Sequence, residues 1–335
     1  MNEKFMITGA TGFLGRAVTA ELMKEKKIVR ALVLKNDPLS NALPPGVDIV
    51  PGDVCDEISL RRFFASADRN TCVIHCAGIV SVASNPGERL YRVNIEGTNN
   101  ILRFCEEYGV GKTVYVSSVH AIPEKPMGTV IDEDAVLSPD KVRGDYAKSK
   151  AIATSLVFEA AARGLNASVV YPSGIIGPGD IGKGSITNML TSFLSGKMPF
   201  AVKGGYDFVD VRDVAAGIVS CAERGESGKG YILSGNYATI CDILRLAGRE
   251  AGIARSPLCL PICFAKLATP LVEKRNLRKK QPLYFTPYSI AVLQSNGRFS
   301  RRSAETRLGY SPRSLQNSIR DTVRWIKEQG TSPAL

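Results

Sequence analysis

Histidine is nearly missing from this chain, with His75 and His120 its only two, and tryptophan occurs once. Two imidazoles cannot complete a familiar zinc pattern, and none of the eight cysteines forms a C-x-x-C pair, so no metal centre is expected. The cysteines, Cys55, Cys72, Cys76, Cys105, Cys221, Cys241, Cys259 and Cys263, fall mostly inside apolar runs, where a free thiol behaves as a small hydrophobe. That usage fits a reducing, cytoplasmic setting. Long apolar runs are also lacking. The most apolar late stretch, Leu258 to Val272, is shorter than the ~20 residues of a spanning helix, and Pro261, Lys266 and Pro270 interrupt it. No apolar leader opens the sequence, because Met1 to Lys4 runs straight into a short strand pattern. The net charge of +11 would suit nucleic acid, yet no basic stretch carries the interleaved aromatics of a stacking platform, so nucleic-acid binding is not expected. The cationic run Lys274 to Lys280 reads as a solvated face; beside the apolar stretch, it permits at most peripheral membrane contact.

What is present is an ordinary globular balance, 44% hydrophobic and 22% charged over 335 residues, enough to bury a full core. The chain is organised around Phe5 to Gly15. A short apolar run ends at Thr8, then Gly9, Gly12 and Gly15 recur every third residue before Leu14, Val18 and Leu22 at helical spacing. One glycine permits the tight turn, one lets backbone approach a phosphate, and one lets helix pack closely on strand. The helix N-terminus then presents unpaired N–H groups to an anion. A second strand, Ile28 to Leu34, closes the unit, which points to a bound dinucleotide.

Strand and helix signals then alternate. Val47 to Val50 is a strand followed by Asp53, either the cap of the helix carrying Ile58 and Leu60 or a contact to the adenine end of the cofactor. Thr71 to Gly78 suits a parallel strand covered on both faces, with His75 a satisfied core residue. Glu88 to Tyr108 reads as one long helix with Asn94 beside its apolar stripe. Lys112 to Val116 is the next strand, and Ser117-Ser118 stands at its carboxyl end, where doubly wound sheets bind ligands. Tyr146 and Lys150, four apart, share one face of a helix running to about Arg163. Val169 to Tyr171 gives a sixth strand. Beyond Pro172 the rhythm breaks, with helices expected at 186–194, 213–224, 239–251, 302–308 and 315–329 and strands at 206–211 and 230–235.

Taken together, Thr8-Gly9-Ala10-Thr11-Gly12-Phe13-Leu14-Gly15, His75-Cys76-Ala77-Gly78, Ser117-Ser118, Tyr146-Ala147-Lys148-Ser149-Lys150 and Gly177-Pro178-Gly179-Asp180 resemble the extended short-chain dehydrogenase/reductase superfamily, also called the NAD-dependent epimerase/dehydratase family. The later stretch Gly204 to Ala215 and the tail Phe299 to Trp325 are most similar to its dihydroflavonol-reductase-like and 3-beta-hydroxysteroid-dehydrogenase-like branch. The resemblance implies an α/β fold, a Rossmann-type doubly wound parallel sheet over 1–172 to which 205–234 returns, with a smaller substrate-binding region interleaved through 173–335. It implies Ser118, Tyr146 and Lys150 as catalytic residues. Cofactor contacts are expected from Gly9, Thr11, Gly12, Phe13, Leu14, Gly15, Asp53, Val54, Ala77, Gly78, Asn94, Tyr146, Lys150, Pro172 and Ser173.

The chemistry agrees. Carbonyl reduction needs a proton on the new alkoxide, and a phenol with pKa near ~10 needs help to exchange it at neutral pH. A neighbouring ammonium, Lys150, would favour the phenolate, and Ser118 would steady the substrate oxygen. The second strand ends Val33-Leu34-Lys35-Asn36 with no carboxylate to bond a ribose diol; Lys35 attracts a phosphate, with Arg16 a second partner, so NADP is expected over NAD. The function expected is carbonyl–alcohol oxidoreduction on a small, apolar substrate. The alternatives are a nucleotide-sugar epimerase and a non-catalytic dinucleotide sensor; dehydration is disfavoured because Val119-His120 replaces the acidic pair of dehydratases. The resemblance also implies a homodimer, supported locally by Ala147, Ala151, Ala153, Ala160, Ala161 and Ala162 as small residues for close helix approach.

Overall fold

The apolar runs of the first half pair in parallel into one seven-stranded sheet. The computed structural model describes residues 3–84, 86–198, 200–278 and 286–331. The elements of the first half are β1 (Lys4–Thr8), α1 (Phe13–Lys24), β2 (Ile28–Val33), β3 (Asp48–Pro51), α2 (Glu57–Phe64) and β4 (Thr71–His75). They continue with α3 (Glu88–Tyr91), which runs through a π-helical turn into α4 (Gly97–Glu107), then β5 (Lys112–Val116), α5 (Asp145–Ala162) and β6 (Ala167–Pro172). The sheet closes with β10 (Gly230–Leu233), and its order is β3-β2-β1-β4-β5-β6-β10. The strand order reverses between β1 and β4, paired with Thr8 opposite His75, and this is where such sheets open a crevice for ligands.

Both faces are covered, which is why these strands read as unbroken apolar runs. Met6, Val73 and Tyr115 pack with Phe63 and Phe64 of α2, Phe104 of α4 and the alanines of α5. Phe5, Ile7, Cys72 and Ile74 face α1 and α7 (Val211–Arg224), with Val18, Leu22, Val214 and Ile218 against them. Each fully buried phenylalanine contributes about 2 to 3 kcal/mol of transfer free energy.

Beyond β6 the strands are short. β7 (Gly174–Ile176), β9 (Gly205–Asp210) and β11 (Asn236–Thr239) form a three-stranded sheet; β8 (Phe200–Val202) pairs with β12 (Leu258–Leu260). Within 205–234, therefore, β9 joins the small sheet, whereas α7 and β10 return to the large one. The other elements of this half are α6 (Ser185–Leu194), α8 (Ile240–Ala251), α9 (Ile262–Arg278), α10 (Pro287–Val292), α11 (Arg302–Leu308) and α12 (Leu315–Thr331). The tail is tied back by ions: Arg212 bonds Asp210 and Asp321 at 2.8 and 2.9 Å, and Arg313 bonds Asp213.

Four expectations need correction. The cap of α2 is Asp56, which accepts from the N–H groups of Ile58 and Ser59; Asp53 instead closes a turn onto the Cys55 N–H. Cys241 and Cys259 are joined as a disulfide between α8 and β12, their Cα atoms 6.1 Å apart, so the described free thiols number six rather than eight. Ala147, Ala151, Ala153 and Ala160 are turned into the protomer's own core, because α5 lies flat on the sheet, so they cannot form a surface between copies. Leu258 to Val272, read as interrupted by Pro261, Lys266 and Pro270, is broken only at Pro261, between β12 and the start of α9, which runs on through Lys266 and Pro270. Lys279 and Lys280 of the cationic run, and Met1, lie outside the described residues. Among the described residues no helix is long and apolar enough to cross a membrane.

Candidate active site

The glycine turn follows β1 at the crevice. Gly9 has φ +68°, and a Cβ there would lie 2.6 Å from the Ala77 nitrogen at the end of β4. A Cβ on Gly15 would lie 2.0 Å from the Gly9 carbonyl. Gly12 is different: it is exposed, and a Cβ would meet only the Gly9 oxygen, at 3.2 Å. Its outer side is open at the N-terminus of α1, beside Phe13 and Leu14, so the turn fits a pyrophosphate.

The rim of this crevice holds the other expected cofactor contacts. Thr11 donates its hydroxyl to Asp37 at 2.7 Å. Lys35 is exposed at the end of β2. Arg16 is not a free phosphate partner: its guanidinium is buried and donates to the carbonyls of Thr11 and Gly179. Asp53 is half-buried, and Val54 packs against Gly97. Ala77 and Gly78 follow β4, with the Lys150 ammonium beside Gly78. The Asn94 amide is fully engaged, accepting from the Ile79 N–H at 2.7 Å and donating to Ile79 O and the Ser149 hydroxyl at 3.0 Å each. It therefore fixes the loop after Gly78 against α5. Pro172 and Ser173 are buried at the end of β6.

The residues expected to react converge above β5. Ser117 turns inward and pairs with the Thr154 hydroxyl at 2.6 Å, leaving Ser118 as the serine that reaches Tyr146. Burial raises the Tyr146 phenol to about 12, with the Ser118 hydrogen bond opposing. Lys150 donates to the Val116 carbonyl at 2.7 Å and to the Tyr115 hydroxyl at 3.2 Å, and burial lowers it to about 8. The expected direct help from Lys150 to Tyr146 is thus absent from this geometry, since the ammonium is held by Tyr115 and the strand. His75 is the satisfied core residue expected, bonded to Thr8 and Thr98 and lowered by burial to about 3.

Three residues of the site escaped sequence reasoning. His120 stacks on Tyr206 at 5.2 Å and bonds its hydroxyl at 3.1 Å, with its ring 6.1 Å from that of Tyr146. Burial lowers His120 to about 4, so it is neutral near pH 7. Tyr288 covers Gly144 and has a buried hydroxyl with no partner among the described residues. The position of His120 two residues after Ser118 was the one available signal; Tyr206 and Tyr288 come from distant segments and carried none. Tyr146 and Tyr288 line a cavity of about 480 Å³, whose wall also includes Arg143, Lys266, Thr269 and Ile290.

The sequence pattern of the NAD dependent epimerase/dehydratase family matches residues 5–234. The chain belongs to that family. Within it the chain is similar to sterol demethylase protein B of Methylococcus capsulatus, 30% identical and aligned over 97% of this chain and 98% of the relative. It is also similar to a putative dihydroflavonol 4-reductase of Synechocystis, 30% identical over 98% of this chain and 96% of that one. The crystal structure of gox2253 superposes with a TM-score of 0.84 at 29% identity, covering 99% of this chain and all of the other. The family is NAD dependent, and this chain is an enzyme of that family.

Proposed function

We propose that the chain interconverts a carbonyl and an alcohol on a small, largely apolar substrate, with Tyr146, Ser118 and Lys150 as the catalytic residues. The observation that carries this reading is a phenol lining the 480 Å³ cavity with the Ser118 hydroxyl near enough to oppose the burial that raises it. The nicotinamide cofactor, when bound, would supply or accept the hydride. Tyr146 delivers the proton to the substrate oxygen, Ser118 donates a hydrogen bond to that oxygen as charge develops, and Lys150, its ammonium beside Gly78, would hold the cofactor's ribose. The open side of Gly12 and the α1 N-terminus would hold the pyrophosphate. The relatives named for dihydroflavonol and 3beta-hydroxysteroid chemistry support an alcohol–ketone couple.

A nucleotide-sugar epimerase is the second reading, favoured by Arg143 and Lys266 in the cavity wall, which suit a diphosphate. A panel of apolar ketones and alcohols, followed by nicotinamide absorbance, separates the two. Net turnover of cofactor supports oxidoreduction, whereas conversion of a nucleotide sugar with no net change in cofactor overturns it.

For the cofactor, NADP is the reading we adopt. Asp37 already accepts the Thr11 hydroxyl, while Lys35 is exposed at the same edge and free to meet a phosphate. Lys35→Glu should weaken NADPH at least about tenfold, a like-charge penalty on the order of 1.4 kcal/mol, and leave NADH nearly unchanged. Tighter NADH binding by the unaltered protein would contradict it.

A further inference from the structure

We propose that the outer face of α9 docks the protein onto an anionic lipid surface. The helix is built inside out. Phe264, Leu267 and Leu271 fall within one narrow stripe at helical spacing and are 61%, 80% and 74% exposed. The opposite side carries Thr269 and Glu273, which are buried. Glu273 accepts from the backbone N–H and the hydroxyl of Ser84, both at 2.8 Å, so its inward direction is fixed. An amphipathic helix serving only its own core would show the reverse arrangement.

Charge selects the occupant. Glu273 is the one acid in Ile262–Arg278, and it is turned inward, whereas Lys274, Arg275 and Arg278 are exposed. Arg275 and Arg278 continue the stripe of Leu271 one and two turns on. Apolar side chains followed by cations, with no exposed acid between them, match the boundary between acyl chains and anionic headgroups. A second copy seated on the same stripe would offer these cations no counter-charge from its own α9, whose one acid is turned inward, which works against a second copy as the partner. Because Lys266 and Thr269 of the same helix line the 480 Å³ cavity, docking would set one wall of that cavity close to the lipid.

The test is co-sedimentation of the full chain with phosphatidylcholine vesicles, with and without phosphatidylglycerol, at low and high salt. Binding is expected only with phosphatidylglycerol and should weaken with salt. Each surface cation strengthens such binding roughly fivefold, so R275E/R278E should lower it by at least about twenty-fold. L267E/L271E should abolish it. Circular dichroism would check that these exposed substitutions leave the fold intact. No sedimentation of the unaltered chain with phosphatidylglycerol vesicles would overturn the proposal, as would variants that bind equally well. Light scattering that shows a dimer lost in L267E/L271E would overturn it too, by assigning the stripe to a second copy. Neither readout depends on turnover, so the docking and catalytic readings fail separately.

Discussion

At neutral pH a phenol held near 12 keeps its proton, so Tyr146 in the free protein is poised as a donor, the role that carbonyl reduction asks of it. Its neighbours were only partly legible. Ser118 and Lys150 could be placed from their order along the chain, because a strand end and one helix turn fix them locally. Tyr288 could not, since the contact that positions it runs from α10 to Gly144, whose φ is +88° and whose Cβ, if present, would lie 2.4 Å from the Tyr288 ring. An unpartnered buried hydroxyl costs about 1 to 3 kcal/mol. Tyr288→Phe should therefore leave stability unchanged or raise it by about 1 kcal/mol in thermal denaturation, while increasing KM for substrates with a polar group at that end of the cavity. A clearly less stable variant would mean that the hydroxyl has a partner in the folded protein.

Among the elements, the glycine turn gives the sharpest contrast. Gly9 and Gly15 are fixed by contacts inside the fold, whereas the outer side of Gly12 is open. Gly12→Ala should fold with a nearly unchanged melting temperature yet bind dinucleotide at least about tenfold more weakly, since backbone can no longer approach the phosphate. Calorimetric titration checks it, and unaltered affinity would remove Gly12 from the phosphate site. The βα alternation was readable because its strands carry four to six residues with apolar runs between turn signals. Past Pro172 the strands β7, β8 and β12 have three residues each, too few for periodicity to register. Helix α9 was hidden for a different reason: its apolar stripe faces outward and a proline lies within it. The Asp56 cap competed with Asp53, three residues earlier, and sequence alone offered no way to rank them.

Across the whole molecule, the C-terminal segments are anchored to β9 and α7 by ion pairs on the buried carboxylates Asp210 and Asp213. Burial opposes ionisation of Asp210, but hydrogen bonds from Arg212 overcome it and hold the carboxyl below its ordinary value. A depressed folded pKa contributes stability that is fully present above the unfolded value of ~3.9 and is lost as pH falls through the folded value. Asp210→Asn should thus cost about 2 to 3 kcal/mol near neutral pH, discounted because Arg212 is a third exposed. The difference from the unaltered protein should shrink below about pH 4 in urea denaturation. A gap that persists at lower pH would locate the effect in packing rather than charge.

The account rests most heavily on Tyr146 as the proton donor at a dinucleotide-loaded site. Once a carbonyl substrate is in hand, kcat and the cofactor dissociation constant should be measured together for Tyr146→Phe and the unaltered protein. Loss of a general acid predicts a fall in kcat of about 10² to 10⁴-fold with cofactor affinity nearly intact. Near-normal turnover by Tyr146→Phe would contradict the assignment.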